Sequence, residues 1–173
     1  KIVIIILLMF NTIEPEAFFE QLKTQFAEKI LLVEKHYDVT VAEVSHDVIK
    51  NVILFLKEQG FQFLTSCNGL HLPAAEKKFG MIYHLHDFKR NLRIRIKTFT
   101  QNDPPHFPTL TDIFPAANWM EREAYDFFGF RFDGHPNLHR ILNEDSMEGW
   151  PLRKEYPLED QARFDKDDKM FGR

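Results

Sequence analysis

MIYHLHDFKRNLRIRIKTF, residues 81–99, alternates apolar and polar side chains on both sides of a short polar break. Period-two alternation on either side of a turn is the pattern of a β-hairpin with one buried face. A two-residue turn at Lys89 and Arg90 pairs Leu85 with Ile94 and Tyr83 with Ile96 on the core side. His86 then meets Arg93, and His84 meets Arg95, on the other side. His84 and His86 share a strand face at a spacing that suits a metal, but two facing arginines would repel a cation. The pattern therefore reads as a polar outer face. With Lys97 added, that face suits phosphate or an acidic protein surface.

Outward from the hairpin, the chain divides into a regular first part and an irregular second part. Seven of the nine prolines fall between Pro104 and Pro157. EPEAFFEQLKTQFAEK begins with Pro15 in the first helical turn and carries Phe19, Leu22 and Phe26 on one stripe, which predicts a helix. YDVTVAEV alternates as a strand. Ser45 is placed to cap a second helix running to Gln59, with Val48, Val52, Phe55 and Leu56 inward and Gly60 at its end. FQFLTSC is a third extended run. The run KIVIIILLMF at the start is too short to span a bilayer, where about 20 apolar residues are needed, and is expected to be a buried strand or a covered apolar segment.

The chain has 173 residues and a net charge of −4, which argues against general attraction to nucleic acid. Its one cysteine, Cys67, rules out an internal disulfide and any multi-thiolate cluster site on this chain. Within an apolar run, Cys67 is expected to be a packed core thiol.

AANWMEREAYDFFGF is helical by composition and closed by Gly129. A wheel puts Ala116, Met120, Ala124 and Phe127 on the apolar stripe, with Glu123 inside it and Arg122 and Asp126 on the opposite, polar side. A carboxylate among aromatics must be paired, protonated or used. An ion pair of Glu123 with Arg131, Arg140 or Arg153 is the expectation, and general acid–base work by Glu123 is the alternative. FRFDGHPNLHRIL follows, with a turn at Asp133 and Gly134 and an exit fixed by Pro136. His135 and His139 are not a zinc pair of the HExxH kind. The last stretch is charged and proline-rich with few apolar anchors, which predicts an arm that orders on a partner.

Residues 121–142, EREAYDFFGFRFDGHPNLHRIL, together with GWPLRKEYPL, closely resemble the signature of the thirty-kilodalton subunit, or C subunit, of respiratory complex I, the bacterial NADH:quinone oxidoreductase. The matching residues include Glu121, Arg122, Glu123, Asp126, Gly129, Gly134, His135, Pro136, Arg140, Pro151, Arg153 and Lys154. The chain departs from the family pattern at His139, Trp150 and Glu155. The resemblance implies an α+β fold of the α/β type, a compact mixed sheet with helices packed on it and an extended proline-rich C-terminal arm. The expected divisions are 1–103 for helix, strands, helix and hairpin, 104–142 for the signature helix and GHP segment completing that domain, and 143–173 for the arm. It also implies a non-catalytic subunit of the peripheral arm, on the cytoplasmic side of the bacterial inner membrane. Its chief neighbour would be the quinone-site subunit of the forty-nine-kilodalton type, the D subunit. No catalytic, cofactor or metal residue is expected here, with FMN, iron–sulfur clusters and quinone on partner subunits. The signature residues above then become structural and interface groups. An equivalent subunit of a membrane-bound hydrogenase-type complex is the alternative. A free-standing nucleic-acid binder using Arg93, Arg95 and Lys97 is the outside reading.

Overall fold

In a computed structural model, described over residues 15–37 and 39–156, the hairpin has the expected register. Strands β4 (Phe79–Asp87) and β5 (Leu92–Thr100) pair Tyr83 with Ile96, His84 with Arg95, Leu85 with Ile94 and His86 with Arg93. The turn is longer than the two residues expected. Pairing stops at Asp87 and Leu92, because the Asp87 carboxylate accepts the amides of Lys89 and Arg90 at 2.8 and 3.2 Å and the Arg90 side chain. Of the turn residues only Asn91 adopts a positive φ, 52°. A tight primed turn would require it at Lys89, and in type I′ at Arg90 as well, where a Cβ disfavours it.

Three more strands complete a sheet ordered β1-β2-β5-β4-β3, with β1 at Ile30–His36, β2 at Val39–Val44 and β3 at Phe63–His71. β2 runs parallel to β5, and the other neighbours are antiparallel. The sequence pattern did not announce β1. It is an edge strand whose register shifts between Ile30 and Leu32, so Leu31 and Leu32 both remain partly exposed and no alternation survives.

Helix α1 (Pro15–Phe26) buries Phe19 and Leu22 and helix α2 (Ile49–Glu58) buries Val52 and Leu56 as expected, whereas Phe26 and Phe55 pack only partly against the core, as does Val48, which precedes α2. Phe19, Leu22, Val52, Ile53 and Leu56 form one buried cluster with Ala42, Val44, Tyr83, Leu85, Ile94 and Ile96. Each Val, Leu, Ile or Phe side chain among them contributes about 1.5–3 kcal/mol when fully buried. Ser45 does not cap α2. It precedes a 3₁₀ turn at His46–Val48, and its hydroxyl donates to Asp47, which Lys29 also grips at 2.5 Å. Gly60, φ 106°, follows α2 as expected. Cys67 is buried in the core, and burial pushes its thiol well above its ordinary range.

The second part joins the same core. A short parallel pair, β6 (His106–Pro108) and β7 (Arg131–Asp133), brackets α3 (Ala117–Phe128), whose neighbour is β3. Phe107, Leu110, Ile113, Phe114, Ala117, Ala124, Phe130 and Phe132 extend the cluster without a break. Along β5, Ile94, Ile96, Thr98 and Thr100 are buried, while Arg93, Arg95, Lys97 and Phe99 lie on the more open face. Residues 143–156 contain turns and bends with no helix or strand. The run 1–14, expected to be buried, and the remainder of the arm from residue 157 lie outside the described residues.

Candidate functional site: the signature helix and the segment it holds

α3 ends where the sequence predicted. Gly129 takes φ 75°, and its amide donates to the Tyr125 carbonyl at 2.8 Å. The facing of the helix is another matter. Its buried residues are Ala117, Glu121, Arg122, Ala124 and Asp126, whereas Ala116 and Glu123 are exposed. The predicted burial of Glu123 is therefore corrected, and so is its ion pair. The Glu123 side chain makes no hydrogen bond or ion pair among the described residues. The three candidate partners act elsewhere: Arg131 stacks over Tyr125, Arg140 binds Asp126, and Arg153 binds Asp103. Arg122 and Asp126, assigned to the solvent side, are inside. The wheel failed because it ranks positions by apolarity, and here the inward positions carry charges satisfied by residues far along the chain.

Asp126 is the centre of that arrangement and has no exposed surface. One carboxylate oxygen accepts from the Arg140 guanidinium at 2.8 Å and the Asn143 side-chain amide at 3.1 Å. The other accepts the backbone amides of Ile141, Leu142 and Asn143 at 3.1, 2.8 and 2.9 Å. Burial acts to raise this carboxyl, but the Asn143 and Leu142 amides and Arg140 outweigh it and hold it far below the usual carboxylate range. Arg140 also donates to the carbonyls of Asp126, Met147 and Gly149 and lies 4.8 Å above the Trp150 ring. Arg122 closes the other side. It donates to His139 Nε2 at 2.6 Å and to the carbonyls of His139 and Arg140.

Glu121 has a different fate. It is fully buried and accepts the Thr109 hydroxyl at 2.6 Å and the Leu110 amide at 2.7 Å. His135 Nε2, which donates to the Asn118 carbonyl at 3.2 Å, lies 4.0 Å from it. Burial pushes the Glu121 carboxyl up to about 7, against the lowering effect of its Thr109 and Leu110 bonds. Burial also pushes His135 down, which favours its neutral ring beside Glu121.

That geometry gives a pH prediction with a defined sign. A folded-state value raised above the ordinary 4.5 means the native chain holds the proton in a range where the unfolded chain has lost it. Stability from this group is present below pH 4.5 and is lost as pH rises to about 7. Glu121→Gln keeps the shape without the titration. The wild type should lose about 2–3 kcal/mol relative to this variant across that window, read from denaturant midpoints. A pH-independent difference between the two proteins would overturn it.

The remaining signature residues attach the first part of the arm. Gly129 passes beneath Trp150, whose ring meets Tyr125 edge-on at 5.4 Å. The Leu152 amide donates to Phe127 C=O at 3.1 Å, and Arg153 donates to Phe128 C=O at 2.7 Å. Arg153 also pairs with Asp103 and lies over the Phe79 ring. The Lys154 amide donates to His71 Nδ1 at 3.0 Å. Residues 150–154 thus lie on the chain's own domain. Gly134, φ 84°, makes the predicted turn, while Pro136 and the Lys154 residue as a whole are exposed. Thr109, Asn118, Asn143 and His71 were missed, since nothing in their local sequence marks them as partners.

On the hairpin, His84 engages both ring nitrogens, with Ser66 at 2.8 Å and Arg95 at 2.7 Å. Neither is free for a metal. Among the described residues no group of three or more His, Cys, Asp or Glu is arranged to hold a metal ion, and no helix is long and apolar enough to cross a membrane.

The arrangement just described lies within a stretch, residues 42–162, that matches the family model of the respiratory-chain NADH dehydrogenase 30 kDa subunit. The chain belongs to this family. The NADH-quinone oxidoreductase C subunit of Phenylobacterium zucineum is 37% identical over 139 residues, 78% of this chain and 66% of that protein. The C subunit of Mesorhizobium japonicum is 35% identical over 162 residues, 88% of this chain and 80% of that protein. For the first of these, the match spans just under two thirds of the relative's length. The fold agrees with solved relatives. A trypsin-resistant fragment (1–134) of Nqo5 superposes with a TM-score of 0.63 at 26% identity, over 70% of this chain and 98% of the fragment. A chain of an archaeal membrane-bound sulfane sulfur reductase superposes with a TM-score of 0.67 at 27% identity, over 80% of this chain and 85% of its own. The mixed sheet with helices on it is the fold of this family.

Proposed function

We propose that this chain is a structural, non-catalytic subunit of the peripheral arm of a proton-translocating NADH:quinone oxidoreductase. In this reading it packs against the quinone-site subunit of the forty-nine-kilodalton type, on the cytoplasmic side of the bacterial inner membrane. FMN, iron–sulfur clusters and quinone belong to its partners. One observation carries the non-catalytic reading. The signature's ionisable groups, the buried Glu121, Arg122 and Asp126 and the half-buried Arg140, are committed to bonds within the chain. A group already bonded within the chain has little capacity left for a substrate. Cys67, the single thiol, is packed in the core.

Glu123 and Trp119, on the outer side of α3, are what the signature helix leaves for a partner. Glu123 lies at a cleft of about 140 Å³ lined also by Asn68, Met120, Phe128 and Leu152. A partner's basic side chain entering this cleft would supply the missing counter-charge. Glu123→Arg should leave folding unchanged, because the wild-type side chain is exposed and unbonded. It should reduce co-purification of partner subunits about tenfold or more when a tagged chain is drawn from native membranes in mild detergent. NADH oxidation coupled to a quinone in the wild-type sample supports the assembly, and a clean monomer without redox partners would sink it. The likeness to a sulfane sulfur reductase chain supports a second reading, a related membrane-bound complex. Hydrogen evolution or sulfane sulfur reduction in the purified sample, in place of NADH-linked quinone reduction, would favour it.

A further inference from the structure

The open face of the sheet carries a second surface that the signature does not touch. At its hairpin end a cleft of about 430 Å³ is lined by Phe63, His84, His86, Phe88 and Arg93, among others. Phe63 and Phe88 are 46% and 65% exposed, with ring centroids 5.1 Å apart, and Phe88 lies 4.2 Å from the His86 ring. Large apolar rings left in water beside a cleft indicate an absent partner group.

The polar groups indicate what that group is. His86 Nε2 is buried and has no hydrogen-bond partner among the described residues, and the whole residue is only 8% exposed. A buried ring nitrogen without a partner is costly and unusual. The side chain of Arg93, opposite His86 in the ladder, makes no hydrogen bond or ion pair among the described residues. Arg95 spends its Nε–H on His84, and among the described residues Lys97 meets a carboxylate only at 3.9 Å, on Glu34. The cleft thus combines an unspent guanidinium, an unspent imidazole nitrogen and two exposed aromatic rings. A guanidinium fork is built for a carboxylate, and aromatic and arginine side chains are the usual anchors of protein interfaces.

We propose that this cleft docks an acidic side chain of a partner polypeptide, Asp or Glu next to an apolar residue. The carboxylate meets Arg93 and His86, and the apolar neighbour fits against Phe63 and Phe88. A lipid surface is the poorer fit, because anionic bilayers are met by clusters of some 4–8 free basic residues, and Arg95 is already engaged. The proposal rests on the chain working within an assembly, and its test separates the two.

The experiment places the photo-cross-linker p-benzoylphenylalanine at Phe88 in the full tagged chain, expressed in its native membranes. After illumination the complex is purified and the cross-linked peptide sequenced by mass spectrometry. The expected product is a partner-subunit peptide with Asp or Glu within two residues of the attachment point. Arg93→Glu should cut its yield about tenfold, while Arg93→Lys keeps much of it. Arg93 is exposed and unbonded, so an unchanged melting curve will show that both variants fold. A cross-link to lipid, a protein product with no nearby carboxylate, or a yield indifferent to Arg93→Glu overturns the proposal. Partners that co-purify without any cross-link overturn it while leaving the assembly reading intact; a chain purified alone overturns both.

Discussion

Asp126→Ala is expected to cost about 3–5 kcal/mol, the usual penalty for leaving a buried charge without its counter-ion. The substitution strands the Arg140 guanidinium and leaves three backbone amides, Ile141, Leu142 and Asn143, without their acceptor. Against a total stability of about 5–15 kcal/mol for a domain, that loss is large. It should be partly local, because Arg140 also holds the carbonyls of Met147 and Gly149. Hydrogen exchange is the decisive measurement. The amides of residues 141–143 should lose protection before those of β4 and β5, with a denaturant midpoint well below wild type. Asp126→Asn, which keeps the shape but supplies an NH₂ group where an acceptor is needed, should fall between the two. A loss under about 1 kcal/mol in the alanine variant, the worth of one ordinary hydrogen bond, would refute the role assigned to Asp126.

Gly129→Val should cost about 3–4 kcal/mol, through two separable causes. At φ 75° any Cβ carries a strain of about 1–2 kcal/mol, and a branched one carries more. A Cβ there would also sit 2.5 Å from the Trp150 ring, so the ring must leave its place against Tyr125 and beneath Arg140. Gly129→Asn tolerates the left-handed backbone but keeps the clash. Adding Trp150→Ala to either variant relieves the clash and leaves the strain. The double-mutant cycle should therefore show a favourable coupling of about 1–2 kcal/mol between positions 129 and 150. Additive effects would show that Trp150 yields freely and that the glycine serves the backbone alone.

These two sites show how far local sequence reaches. The left-handed stop at Gly129 was legible, because a glycine after an amphipathic run has a specific conformational use. That Trp150, twenty-one positions on, lies across it was not. The resemblance named Asp126 and Arg140 as members of one signature, yet the wheel assigned Asp126 to water. Glu123 shows the opposite error, a carboxylate that the apolar stripe drew inward and the fold leaves outside.

The sequence by itself determined the hairpin register, the extents of the helices to within a few residues, the buried cysteine and the family. The first three rest on signals carried within a dozen or so residues, a period of two, a period of 3.6, a glycine or proline, and the family on an ordered motif running from residue 121 to 158. Tertiary structure alone decided which side of α3 faces inward, that β1 is an edge strand, and that residues 150–154 lie on their own domain. Burial of a charge is favourable only when its partners arrive. For Asp126 those partners arrive from 14 to 17 residues away, across a turn whose path no local pattern records.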